Sequence, residues 1–461
     1  MGPEARTPPR TVERVLPTLN VDGTRRWLKP RLSHGRFQRR RLAVAWGLMI
    51  LFALLPHLRM AGRPAILLDV AHRRFMLLGA TFYPTDTVLL MLLLVGIFIG
   101  IFLLTAILGR AWCGWACPQT VYMEFLFRPV ERGLDRLRAA WPGAGGALAH
   151  RVLKAAAFLA AAMFLAHTFL AYFVGVEALG QWVRRSPLEH PISFLVMAGT
   201  TALMLLDFGY FREQVCLVAC PYGRLQSVLL DRRSLIVGYD ARRGEPRGKL
   251  GHAAGDCIDC GACVVTCPTG IDIRDGLQME CIHCTQCIDA CDAIMDRVAR
   301  PRGLIRYASR DELAGAPSRI LRPRIVIYPL ILAALWGSLG WALAHRPPAE
   351  VTVLRGLGNP FTILPSGEIS NQIRIKVENH GSAARRYRLS LMEGADLRLV
   401  APENPITVAG GQQATATVFV IVPADRFARG ERPVRFWISD GAGLDAIREY
   451  RLLGPSTEAP R

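Results

Sequence analysis

The sequence predicts an α-helical polytopic membrane protein with a small cysteine-rich α+β insert and a C-terminal β-sandwich. Three observations predict it. Five apolar runs, each of about twenty residues, punctuate the first 345 of 461 residues. All 12 cysteines fall between Cys113 and Cys291. Beyond residue 350 the apolar residues alternate with polar ones in short stretches separated by turn signals.

Hydrophobic residues make up 51% of the chain and the formal net charge is +19. Positive charge of that size could serve nucleic acid, but it sits beside the apolar runs and in Arg-rich loops. Orientation in a bilayer accounts for it better, and no nucleic-acid partner is expected. The first forty residues are Pro- and Arg-rich and end in Arg39-Arg40-Arg41. This stretch is too long for the n-region of a signal peptide, and no small-residue cleavage site follows. Residues 1–41 are therefore expected to form a basic cytoplasmic tail, and Leu42–Leu58 the first span.

Further spans are expected over 85–108, 152–176, 192–211 and 325–345, each long enough for a bilayer core of roughly 30 Å. Gly96 and Gly100 form a G-x-x-x-G, which marks close helix packing. Five spans with the N-terminus inside put 1–41, 109–151 and 212–324 on the cytoplasmic side. These segments carry Arg132, Arg136, Arg138, Arg242, Arg243, Arg322 and Arg324. Arg59, Arg63, Arg73 and Arg74 in the outside loop 59–84 run against the trend. Within that loop, 65–82 is apolar enough to lie along the interface. The expected organisation is the tail, a four-helix membrane region over 42–211, a cytoplasmic region over 212–324, the last span, and an outside domain over 346–461.

That last domain alternates in Ile373-Arg374-Ile375-Lys376-Val377 and over Ala414–Val422, with turn signals at Asn359-Pro360, Pro365-Ser366-Gly367 and Gly410-Gly411. About a hundred such residues predict an immunoglobulin-like β-sandwich. It has no cysteine, so it lacks the disulfide of antibody domains.

The cysteines form four groups. Cys257, Cys260, Cys263 and Cys267 follow C-x2-C-x2-C-x3-C, and so do Cys281, Cys284, Cys287 and Cys291. Tight spacing lets one loop present three sulfurs to three corners of a cube, while the fourth thiolate serves the other cluster. The runs therefore read as a bacterial-ferredoxin-like 2[4Fe–4S] module over about 250–300. Cys257, Cys260, Cys263 and Cys291 would hold one cluster, and Cys267, Cys281, Cys284 and Cys287 the other. Zinc sites use pairs of C-x-x-C with longer gaps and fit this spacing poorly. Asp292 stands where proline follows the first run, a position that supplies no ligand.

The other two groups are Cys113-Gly-Trp-Ala-Cys117-Pro118 and Cys216-Leu-Val-Ala-Cys220-Pro221, each C-x-x-x-C-P at the end of a span. Continuous helix would place both sulfurs of a pair on one face, and the proline puts each pair at a helix terminus. The repetition suggests an internal duplication with four thiols at one membrane face. Buried cysteines are often only packing, but two matching pairs favour a metal or redox role. Soft thiolates suit Cu(I), zinc or iron–sulfur chemistry, and the motif alone leaves these three open. His57 and His167 form no convincing bis-histidine haem pair, and Met60, Met76 and His72 fit packing better than copper.

Taken together, the two C-x-x-x-C-P motifs at 113–118 and 216–221, the double cluster motif at 257–291, the bracketing spans and the cysteine-free β domain resemble the FixG/CcoG (RdxA) family of cytochrome c oxidase accessory proteins. The resemblance covers almost the whole chain. It implies a multi-pass protein of the bacterial inner membrane with cytoplasmic clusters and a periplasmic β domain. It also implies a cupric reductase delivering Cu(I) for assembly of a cbb-type oxidase, with Cys113, Cys117, Cys216 and Cys220 binding copper or taking part in its reduction. Partners implied are the oxidase assembly machinery or copper chaperones, with the electron donor unknown. Two other functions fit the sequence: an electron-transfer subunit between quinol and a separate respiratory reductase, and a non-enzymatic assembly scaffold. A β domain at the end of the chain, rather than a second redox module, favours the reductase.

Overall fold

The computed structural model describes residues 18–455 apart from 21, 23, 61, 141–142, 250–254, 318–320, 382, 393 and 395. The first 17 residues of the expected basic tail thus lie outside the described part. The chain divides into two compact units, Met1–Leu339 and Gly340–Arg461.

Five helices are long and apolar enough to cross a membrane: Arg36–His57, Thr87–Leu108, Gly145–Val174, Pro191–Phe211 and Pro323–Ala344. Their outward faces carry Val88, Leu94, Leu195, Leu203 and Leu330, all exposed. Large apolar side chains in such bands belong against lipid, since water would penalise them.

The first helix begins at Arg36, before the apolar run. Its opening N–H groups have no partner within the helix. The Asp289 carboxylate supplies one, accepting from the backbone N–H of Phe37 at 3.2 Å and of Gln38 at 2.7 Å. Gly35 is what lets this carboxylate approach, because a Cβ there would stand 2.2 Å from Asp289 Cγ. Arg41 is consequently buried within the protein instead of ending a free tail.

The third long helix starts at Ala144, well before the predicted 152. Its first turns are tied to the preceding helix Arg128–Ala140 by His150–Asp135 at 2.9 Å and Lys154–Glu131 at 2.5 Å. The loop expected at the interface is a three-stranded antiparallel sheet of Ile66–Asp69, Arg74–Leu77 and Ala80–Phe82. Asp69 shapes its first turn, accepting from the His72 backbone N–H at 3.0 Å and pairing with Arg74 at 2.9 Å. Of the two glycines in the G-x-x-x-G, Gly96 lies against Trp336, 3.3 Å from where its Cβ would stand, and Gly100 meets nothing within 4 Å.

The second unit is a two-sheet sandwich. One sheet runs in the order Arg398–Val400, Gln413–Pro423, Glu368–Asn379, Ala349–Arg355, with Thr362–Ile363 also pairing to Glu368–Asn379. The other runs Ile406–Val408, Arg385–Leu391, Glu431–Ser439, Asp445–Leu453. Strict alternation along Glu368–Asn379 and Gln413–Pro423 turns Ile373, Ile375, Val418 and Val420 into one core with Phe436 and Ile438 of the facing sheet.

Candidate metal centres

Strands Ile236–Tyr239 and Ile305–Ala308 pair antiparallel and close a small module around the helices Ala262–Val265 and Gln286–Arg297. The two cysteine runs wrap in the same way. Positive φ occurs at equivalent places, Asp259 (53°) and Gly261 (66°) in one, His283 (53°) and Thr285 (61°) in the other. Turns of this kind aim successive backbone N–H groups into a hollow and favour an anionic group there. Thr285 adopts a conformation that β-branched residues avoid. Its Oγ1 donates to the Cys284 carbonyl at 2.6 Å.

Two hollows result. Cys257, Cys260, Cys263 and Cys291 line one, with Tyr239 and Met295. Cys267, Cys281, Cys284 and Cys287 line the other, with Ile273 and His283. The fourth cysteine of each run therefore stands in the hollow of the other run, and Cys263 borders both. Buried Ile271, Leu304 and Ile305 complete the walls. Burial pushes the thiols of Cys263, Cys281, Cys284 and Cys291 up to about 12. Such thiols ionise only if a cation takes the place of the proton. Soft sulfurs, an apolar shell and inward N–H groups fit an iron–sulfur cubane.

The C-x-x-x-C-P motifs do not continue the spans. Each span breaks four residues before the first cysteine, at Gly109 (φ 58°, ψ −128°) and at Arg212 (φ 53°, ψ −121°). Each second cysteine is extended, Cys117 at −62°, 126° and Cys220 at −74°, 108°, and precedes a helix opening on proline. The N–H of Cys117 donates to Trp112 O and that of Cys220 to Val215 O, both at 2.8 Å. The motifs are two copies of one backbone device, and they interlock. Gln119 of the first donates to the Arg212 carbonyl at 3.1 Å and to Asp207 at 2.7 Å. Arg110 lies beside Gly223, its Nη2 3.0 Å from where a Cβ would stand.

Around them, the Cys113 thiol donates to Gln226 Oε1 at 3.0 Å, and Gln226 Nε2 donates to Tyr222 OH at 2.7 Å. Burial, opposed by Arg110 and reinforced by Cys117 and Cys220, raises the Cys113 thiol to about 11. Burial together with Cys117, Cys113 and Cys220 raises Cys216 to about 12. The four thiols thus sense one another as one electrostatic site.

This site abuts the second hollow. Cys113 packs with Ile282 and Cys284 in one buried cluster. A Cβ on Gly114 would stand 2.5 Å from Ile282 O and 2.6 Å from His283 O. Arg41 Nε donates to Gly114 O at 2.9 Å. Trp115 Nε1 donates to Tyr307 OH at 3.0 Å, and Tyr307 OH donates to His283 O at 3.2 Å. Cysteine spacing pointed to the twelve thiols; nothing in the sequence pointed to Arg41, Gln226, His283 or Tyr307. His283 falls inside a cluster run, the one clue to its place. His167, weighed as a haem ligand, bonds the Met163 carbonyl of its own helix at 2.8 Å.

Comparison with known proteins adds to this geometry. Residues 211–310 match a model described as a 4Fe-4S dicluster domain, 90–136 a 4Fe-4S binding domain, and 339–455 the IG-like fold at the C-terminus of FixG. Protein RdxA of Cereibacter sphaeroides is 38% identical over 80% of this chain and 83% of its own. Nitrogen fixation protein FixG of Rhizobium meliloti is 33% identical over 88% of each chain. The chain belongs to the FixG/RdxA family. Protein RdxB of Cereibacter sphaeroides, 35% identical over 92% of this chain and 95% of its own, extends the likeness to nearly full length. As a FixG/RdxA protein with a dicluster domain and five apolar helices, it is a membrane-bound iron–sulfur electron-transfer protein.

Proposed function

We propose that the protein is a cupric reductase that delivers Cu(I) for assembly of a cbb-type cytochrome c oxidase. The observation that carries the proposal is the abutment of the second hollow on the four-thiol site through Cys284, Ile282 and Cys113. In this reading Cys257, Cys260, Cys263 and Cys291 hold one cubane, and Cys267, Cys281, Cys284 and Cys287 the other. The bound clusters supply one-electron storage. The chain's own residues exclude water from the hollows and keep the thiol site in van der Waals contact with a cluster ligand. One electron leaves the reduced protein for each Cu(II) that becomes Cu(I). Thiolate sulfur at the exit favours the reduced ion and so adds to the driving force.

The distribution of arginine supports a bacterial inner-membrane protein with N-terminus and clusters in the cytoplasm and the β domain in the periplasm. That domain would then meet the oxidase assembly machinery or a copper chaperone. Anaerobic titration of the reduced, cluster-loaded protein with Cu(II) tests the proposal. Cluster reoxidation matched by trapped Cu(I) supports it; a reduced protein that Cu(II) leaves unchanged overturns it.

A further inference from the structure

We infer that Cys113, Cys117, Cys216 and Cys220 together hold a third [4Fe–4S] cubane, shared between the two C-x-x-x-C-P motifs. It occupies the thiols of the proposed electron exit, and rests on that reading only for its place in the electron route.

The first ground is symmetry. The breaks at Gly109 and Arg212 share one backbone geometry, and the i to i−5 hydrogen bonds closing each motif have equal lengths of 2.8 Å. Two equal halves, each offering two thiols, suit a ligand with two equivalent edges. A cubane has that symmetry and takes four thiolates. A disulfide would use each pair alone and leave the interlocking of the halves without purpose.

The second ground is size. Four sulfurs around a single tetrahedral ion at about 2.3 Å stand only about 3.8 Å apart. Among the described residues, no three cysteines bring their sulfurs within 4.8 Å of one another. That holds for the eight cysteines of the dicluster module and for these four alike. Yet the ionisation of Cys216 is opposed by all three of the others, so the four surround a common centre. Thiols that share a centre but stand too far apart for one ion leave room for a cluster.

The third ground is the surroundings. Each motif ends in Cys-Pro, as the first ferredoxin run does at Cys267-Pro268. Arg110 stands beside Cys113 to offset the negative charge that four thiolates bring. The model of a 4Fe-4S binding domain that matches 90–136 includes only Cys113 and Cys117. Cys216 and Cys220 supply the missing half.

The test is iron and acid-labile sulfide per chain in full-length protein purified anaerobically in detergent, with Mössbauer spectra. The expected result is about twelve irons and as many sulfides. Cys113→Ser combined with Cys216→Ser should drop both to about eight while the dicluster signals persist. About eight irons in the wild-type protein overturns the inference, and that count decides even if the variant fails to accumulate. Eight irons with added Cu(I) held by the four thiols overturns the cubane and leaves the copper reductase standing. Twelve irons without Cu(II) reduction upholds the cubane and removes copper as the acceptor.

Discussion

The backbone N–H of Arg110 donates to Nδ1 of His283 at 3.2 Å, joining positions 173 residues apart. Arg110 opens the first C-x-x-x-C-P motif, and His283 sits between two cysteines of the second cluster run. With Nδ1 accepting, the proton of the neutral ring is on Nε2. Burial and the Arg110 charge depress the His283 pKa to about 3, so the ring stays neutral across the physiological range. A change in pH between 5 and 8 therefore leaves this junction intact.

Nε2–H of His283 is buried without a hydrogen-bond partner among the described residues, and the ring lines the second hollow. Hydrogen bonds to cluster sulfur raise reduction potentials. His283→Leu should lower the midpoint of that cluster by on the order of tens of millivolts and leave the other unmoved. EPR-monitored redox titration reads both. Two unchanged midpoints would show that this N–H reaches no cluster sulfur.

Gly114 tests the docking itself. The atoms its Cβ would meet, Ile282 O and His283 O, are backbone and cannot rotate away. Gly114→Ala should push the cluster loop from the thiol site and slow electron passage between them by at least about tenfold, about 1.4 kcal/mol of barrier. Stopped-flow reoxidation checks it. Gly133→Ala, with nothing within 4 Å of the new methyl, should behave as wild type.

Much of this was legible in the sequence, for physical reasons that differ by element. Spans show because lipid demands about twenty apolar residues, and sandwich strands because alternation has period two. Cluster loops show because a cube fixes the spacing of its ligands. Helix starts did not show, since Arg36 is recruited by Asp289 from 252 positions away in the chain. Neither did the sheet over 66–82, where apolar content masked the turn built by Asp69. Gly109 hinted at a break before the first motif. The matching break at Arg212 rests on Gln119 and on the ion pair with Glu131 at 2.7 Å, contacts that a linear reading does not see.

Glu131 carries a pH signature. Burial opposes its ionisation, but the hydrogen bonds and charges of Lys154 and Arg212 outweigh that and lower its pKa from 4.5 to about 2. A depressed carboxyl contributes stability above its unfolded pKa and loses it as pH falls from 4.5 towards 2. Glu131→Gln should cost about 3 kcal/mol at neutral pH by leaving buried Arg212 unpaired. Thermal unfolding of the detergent-solubilised protein should show a wild-type loss below pH 4.5 that this variant shows less of.

In the β domain, buried Asn371 donates to Leu453 O at 2.9 Å and accepts from Leu453 N–H at 2.8 Å, bolting one sheet to the last strand of the other. Asn371→Ala removes both bonds and should destabilise this unit by about 1–3 kcal/mol. The iron content should not change. Domain-resolved hydrogen exchange of the full chain separates the two outcomes.

The central claim is that electrons leave the clusters through the four-thiol site to Cu(II). Rapid mixing of the reduced protein with Cu(II), following the dicluster signal in wild type and in Cys113→Ser combined with Cys216→Ser, tests it most directly. The account predicts intact dicluster spectra in both and reoxidation slowed by at least about a hundredfold in the variant, about 2.7 kcal/mol of added barrier. Equal rates would contradict it, because the electrons would then have another exit.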